Sequence, residues 1–188
     1  CISVQRIFVH ISIYDNFLER FIQATKNLKV GDPLNSTTDI GPMINHEESD
    51  RVYSWIEKAI NQGAKVECGG KKDGSIIYPT ILTNTKPNME VNAKEIFGPV
   101  VTVTSYSTEE EVIKKVNESV YGLQCGIFTR DMKFIMDAFH QIHVGGLIIG
   151  DVPTFRLDMM PYGGIKESGF GREGIKYTME EMTELKLM

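Results

Sequence analysis

The sequence predicts an α/β fold, a three-layer αβα domain around a mostly parallel central sheet. Helical and strand patterns alternate from one end to the other, the pattern of chains that interleave the two. Apolar strand candidates alternate with amphipathic helices, and Val100–Tyr106 has the composition of a buried strand. The 188 residues, 41% hydrophobic and 24% charged, are those of an ordinary globular domain, able to bury about 70% of its unfolded surface.

Taken in order, Arg6–Ile11 is apolar and β-branched and reads as a strand. Tyr14–Asn27 places Phe17, Leu18, Phe21 and Ile22 at helical spacing. Gly31-Asp32-Pro33 ends that element and opens a loop through Pro42. Glu47–Gln62 carries Val52, Trp55, Ile56 and Ala59 on one face, with Gly63 as its stop. Strands are expected at Ala64–Cys68, Ile76–Leu82 and Val100–Tyr106. The last runs into Ser107-Thr108-Glu109-Glu110, a capping-box pattern that starts a helix. Gly122–Thr129 and Gly146–Ile149 are inner strands flanking a helix over Asp131–Ile142. At the end, Thr183–Met188 alternates Leu185 and Leu187 with Glu184 and Lys186, a terminal edge strand seeking a partner. No linker, repeat or low-complexity tract is visible, so one domain is expected over 1–178, followed by the terminal strand within 179–188.

The formal net charge is −5 with no basic cluster, which argues against nucleic acid or an anionic membrane as partner. No apolar stretch approaches the roughly 20 residues that span a bilayer. The three cysteines, Cys1, Cys68 and Cys125, lack paired spacing and suit a reducing compartment, so a cytoplasmic location is expected. The histidines His10, His46, His140 and His143 form no ligand constellation, and no metal site is expected.

Three features carry chemistry. Cys1 is followed five residues on by Arg6, which opens the strand Ile7-Phe8-Val9. A thiolate is a strong nucleophile, and its addition to an aldehyde gives a thiohemiacetal. Glu95-Ile96-Phe97-Gly98-Pro99 reads locally as a helix-to-strand turn. Pro161–Gly174 is dense in glycine and implies backbone in left-handed or tightly approached conformations. Within it, Gly169-Phe170-Gly171-Arg172-Glu173-Gly174 matches G-x-G-x-x-G. A dinucleotide fingerprint needs a strand before it, a helix after it and an acidic residue about 20 positions on. The run is read instead as a tight structural loop.

Together these motifs resemble the carboxy-terminal, catalytic half of NAD(P)-dependent aldehyde dehydrogenases, over essentially the whole chain. The resemblance implies that Cys1 is the nucleophile and that Glu95 accepts hydrogen bonds from the nicotinamide ribose hydroxyls. Phe97 would pack on the nicotinamide ring. It implies NAD or NADP as cofactor, a small aldehyde as substrate and a homo-oligomer, dimer or tetramer. Asp151–Asp158 lies where family members line the substrate entrance, which makes Thr154 and Phe155 pocket candidates. Many members have Asn before that Asp, whereas this chain has Gly150. Asn117–Leu123 also resembles the family and is read as structural.

The family's general base, its side-chain oxyanion donor and most of its adenosine-binding residues precede the nucleophile. With Cys, not Met, at position 1, the sequence is expected to be part of a longer polypeptide, and these 188 residues alone are expected to be inactive. The style is that of members acting on lactaldehyde, glyceraldehyde derivatives or succinic semialdehyde. A non-catalytic truncated domain that only folds and self-associates is the alternative. A Cys–His hydrolase ranks last, because no motif brings a histidine to Cys1.

Overall fold

The computed structural model describes residues 2–188. The chain divides into two compact units, where the sequence led us to expect one domain. One unit is Gln5–Thr108; the other comprises Glu109–Met188 together with residues 2–4. No change of composition marks the division, because Val100–Tyr106 runs almost directly into the next helix.

The first unit is a three-layer sandwich. Its strands are β1 (Arg6–His10), β2 (Lys65–Cys68), the short hairpin β3 (Lys72–Asp73) and β4 (Ile76–Ile77), β5 (Thr80–Thr83) and β6 (Val100–Tyr106). The sheet order is β1-β6-β5-β2. β1 and β5 flank β6 in parallel, and β2 closes the sheet antiparallel to β5. The expected strand Ile76–Leu82 is split, with Tyr78 and Pro79 between β4 and β5. Proline has no N–H to give to a ladder.

Alternation along the strands sends side chains to both faces. Helix α1 (Tyr14–Lys26) covers one face, packing Phe17, Leu18, Phe21 and Ile22 around Val9, Ile81 and Val103. Helix α2 (His46–Asn61) and the single turn α3 (Glu90–Ala93) cover the other, where Val52, Ile56 and Val91 meet Leu82, Ile96 and Val100. The Asn45 side chain caps α2 by accepting from Glu48 N at 2.8 Å, so the helix starts at His46, one residue before the start expected from periodicity. Gly63, at φ 101°, ends the helix in the left-handed region.

The second unit holds α4 (Glu109–Asn117), β7 (Tyr121–Gly122), β8 (Gln124–Ile127), α5 (Met132–Gln141), β9 (Gly146–Ile149), β10 (Ile165–Lys166) and α6 (Ile175–Glu181). β8, α5 and β9 form a parallel β-α-β unit, and β7 pairs antiparallel with β10. The expected strand Gly122–Thr129 therefore breaks at Leu123, because its two halves pair with different strands. Asp131 is the cap of α5, accepting from Lys133 N and Phe134 N.

Two differences concern the chain's end. A helix, α6, does follow the glycine-rich run, directly after Gly174 at φ 114°; the strand before it is only the two-residue β10. And the terminal strand expected at Thr183–Met188 is not formed: helix α6 runs through Glu181, and 183–188 joins no sheet among the described residues. Leu185 and Leu187 are fully exposed. Alternation confers a strand's pattern, but a ladder needs a second backbone. Cys68 and Cys125 are half-buried thiols.

Candidate active site

The motif Glu95–Pro99 forms the connection from α3 into β6. Ile96 is buried in the α2 face of the sandwich, while Glu95 and Phe97 on either side of it stand in solvent. One buried residue thus presents two exposed ones. Phe97 lies at φ 56° and is 65% exposed. For a bulky aromatic the left-handed region is a genuine outlier, worth about 1–2 kcal/mol of strain, and it persists only where the surroundings impose it.

The surroundings do impose it. The Gln5 carboxamide clasps both peptide groups that flank Glu95. Its Nε2 donates to Lys94 O at 2.7 Å and to Val91 O at 3.1 Å, and its Oε1 accepts from Ile96 N at 2.9 Å. The next carbonyl, Ile96 O, accepts from Arg51 Nη2 at 2.8 Å. Arg51 in turn donates through Nε and Nη2 to Glu48 Oε2, at 2.9 and 2.6 Å, and its guanidinium lies 4.5 Å from the Trp55 ring centroid. The hydrogen bond from Arg51 holds the Glu48 carboxyl below its usual range. Glu90 is lowered likewise by its bonds to Lys58 and Lys94, each 3.0 Å away. Gly98 leaves room for Val52 Cγ2, which a Cβ would meet at 3.3 Å. Neither Gln5 nor Arg51 was identifiable from sequence: they stand 91 and 45 residues from their Ile96 contacts, beyond any local pattern.

Thr154 and Phe155 belong to the other unit, on an exposed segment that leaves β9 through Gly150. Gly150, at φ 79°, donates to Ile127 O at 2.8 Å. Glycine takes this left-handed conformation without the penalty a side chain would add. Gln124 Nε2 donates to Pro153 O at 2.7 Å and to Phe155 O at 3.3 Å. Gly126 lies beneath, where a Cβ would sit 2.5 Å from Asp151 O. Further along, Arg156 pairs with Glu173 at 2.8 Å and stacks 4.4 Å from the centroid of Tyr162. Burial raises the Tyr162 hydroxyl above its usual pKa, Arg156 pulls it the other way, and Glu173 adds to the rise.

The structure therefore brings Glu95 and Phe97 together on one loop and Thr154 and Phe155 together on another. Cys1, the expected nucleophile, lies outside the described residues. Among the described residues no group of His, Cys, Asp and Glu side chains is arranged to hold a metal ion, and no helix is long and apolar enough to cross a membrane.

Comparison with known proteins places the chain in a family. Residues 1–188 match the aldehyde dehydrogenase family throughout, and the chain belongs to it. It is 52% identical over all 188 residues to a 3-sulfolactaldehyde dehydrogenase of Priestia aryabhattai, of which it covers 39%. To a lactaldehyde dehydrogenase of Methanococcus aeolicus it is 44% identical over 186 residues, covering 40% of that protein. Among solved structures, it superposes on aldehyde dehydrogenase 21 of Physcomitrella patens, crystallised with the product succinate, with a TM-score of 0.96 at 42% identity. That match covers 98% of this chain and 38% of the other. The glyceraldehyde-3-phosphate dehydrogenase GapN of Methanocaldococcus jannaschii, complexed with NADP, gives 0.94 at 44% identity, covering 99% and 40%. The chain thus spans about two fifths of the length of these relatives.

Proposed function

We propose that this chain supplies the nucleophile and the nicotinamide-side loop of an enzyme that oxidises a short polar or anionic aldehyde to its carboxylic acid with NAD or NADP. The observation that carries this reading is the Glu95–Phe97 loop: an exposed carboxylate and an exposed aromatic, held from behind by Gln5 and Arg51 in a strained backbone. A carboxylate offers two acceptor oxygens to a pair of vicinal hydroxyls, and a fixed ring gives a flat surface for another ring to stack on. The residues present therefore fit a nicotinamide riboside. When bound, the nicotinamide supplies the hydride acceptor.

The remaining chemistry belongs to Cys1. Its thiolate adds to the aldehyde carbon, forming a C–S bond, and the carbonyl oxygen takes the charge and then a proton. Loss of the carbinol hydrogen as hydride, together with release of the hydroxyl proton, leaves a thioester, which water cleaves to the acid, returning the thiolate. The preference for a polar or anionic aldehyde rests on the names of the relatives and on Arg156. That residue places a partly exposed guanidinium on the segment that bears Thr154 and Phe155, the proposed pocket residues. We further propose a homo-oligomer, joined in part through the exposed Met182, Leu185 and Leu187, that works in the cytoplasm. The 188-residue polypeptide by itself should not turn over: losing one oxyanion donor already costs about 10²–10³ in rate, and this stretch holds only part of what its relatives use.

The test is steady-state kinetics of the full-length enzyme with 3-sulfolactaldehyde, lactaldehyde, succinic semialdehyde and an apolar aldehyde of equal length. The anionic substrates should lead in kcat/KM, and Cys1→Ala should abolish NAD(P)H formation with all of them while nucleotide binding persists. NAD(P)H formation surviving Cys1→Ala would remove the nucleophile assignment, and equal kcat/KM for the apolar aldehyde would remove the substrate class. The alternative, a domain that folds and associates without catalysis, would show no turnover at full length with any aldehyde.

A further inference from the structure

We propose that Gln5 is a positioning residue of the reaction, acting through the backbone of Glu95. This rests on the reading of Glu95–Phe97 as the nicotinamide loop and goes beyond it, since Gln5 touches neither substrate nor cofactor in that reading. Three observations point to the role.

The first is completeness. A side-chain amide offers two donors and an acceptor, and those of Gln5 are spent on Val91 O, Lys94 O and Ile96 N. Lys94 O and Ile96 N belong to the two peptide groups on either side of Glu95. A clasp across both defines the backbone torsions at Glu95, and hence the direction in which its side chain leaves the loop. The second is the footing of Gln5 itself. Its carbonyl accepts from Thr102 N at 2.8 Å on the central strand β6, directly before β1 begins. Thr102 is buried, and its hydroxyl donates to Asn92 Oδ1 at 2.7 Å on α3. The clasp is therefore mounted on the sheet and not on another loop. The third is division of labour. Gln5 holds the peptides before and after Glu95, while Arg51 holds the carbonyl that precedes Phe97. The strained torsion at Phe97 begins where the two clasps meet.

Gln5 is also four residues along the chain from Cys1. A misplacement of about 1 Å between reacting groups can cost on the order of 10²-fold in rate, which gives such a clasp its value.

The test uses the full-length enzyme with Gln5→Met, which keeps length and bulk without the hydrogen bonds, and Gln5→Ala, with Glu95→Gln as reference. Nucleotide Kd by calorimetry, KM for nucleotide and aldehyde, kcat and thermal midpoint are read for each. The expected result for both Gln5 variants is a rise of roughly tenfold in nucleotide Kd and a fall of roughly 10- to 100-fold in kcat. The aldehyde KM should stay within about twofold of wild type. A Gln5→Met enzyme with a lowered melting temperature but unchanged nucleotide Kd and kcat would overturn the proposal, leaving Gln5 a structural residue. Failure of both variants to fold even in the cold would do the same. If Glu95→Gln also leaves nucleotide binding unchanged, the loop reading fails. If Glu95→Gln weakens it and the Gln5 variants do not, only the present inference does.

Discussion

The loop Lys94–Pro99 and the segment Asp151–Asp158 are both tied down by the carboxamide of one glutamine, and the two ties differ in kind. Gln5 donates to Lys94 O and accepts from Ile96 N of the first loop, and also donates to Val91 O on the preceding α3. Gln124 gives Nε2 to Pro153 O and Phe155 O, but its buried Oε1 has no hydrogen-bond partner among the described residues. The first loop also drives Ile96 into the core, whereas none of residues 151–158 is buried. Burying an Ile contributes about 1.5–3 kcal/mol, and an unmet buried acceptor costs about 1–3. The loop read as holding the nicotinamide is therefore built to stay in place, and the one read as meeting the aldehyde is held by few bonds and little burial.

The largest effect expected from this contrast is on stability. Ile96→Ala should cost about 2–4 kcal/mol through lost burial and the cavity left behind. Phe155→Ala, 42% exposed in the wild type, should cost less than about 1 kcal/mol. Chemical denaturation of the two variants in the full-length enzyme checks this, and equal costs would erase the distinction between the loops.

A smaller effect is expected from acid. Glu48 and Glu90 both titrate below their ordinary value of 4.5, so the folded state favours their ionised forms. Their contribution is complete above pH 4.5 and is lost as pH falls through the lower folded values. Both carboxylates lie at the surface and their pairs are weak. Acidification from pH 5 to pH 3 should therefore loosen the backing of Ile96 O before the domain unfolds. Amide exchange of the Lys94–Pro99 segment, followed against that of 151–158, measures it. An entrance segment that exchanged faster first would reverse the expected order.

Much of this was legible in the sequence. Glu95-Ile96-Phe97-Gly98-Pro99 announces a turn into a buried strand, and the period of Phe17, Leu18, Phe21 and Ile22 announces α1; both formed as read. What stayed hidden depends on distance or on partners. Gln5 and Arg51 reach the loop across many residues of chain, and side-chain-to-backbone bonds of that span leave no periodic trace. The strand pattern of Thr183–Met188 is real, yet a strand forms only against another backbone. The split of Gly122–Thr129 has the same origin, since its halves answer to β10 and β9 separately. The division near Thr108 carries no composition signal because both units use the same mixture of residues.

On the proposed reading, the backbone strain at Phe97 serves to place its ring. Phe97→Gly in the full-length enzyme tests it most directly, since glycine adopts φ 56° without penalty and the ring is mostly exposed. Measured together, the thermal midpoint and the single-turnover rate of NAD(P)H formation decide the matter. The expected result is a midpoint unchanged or slightly raised, with hydride transfer slowed at least about tenfold, as a lost positioning contact would slow it. A variant that transfers hydride as fast as wild type would contradict it. So would one that loses stability and activity in parallel.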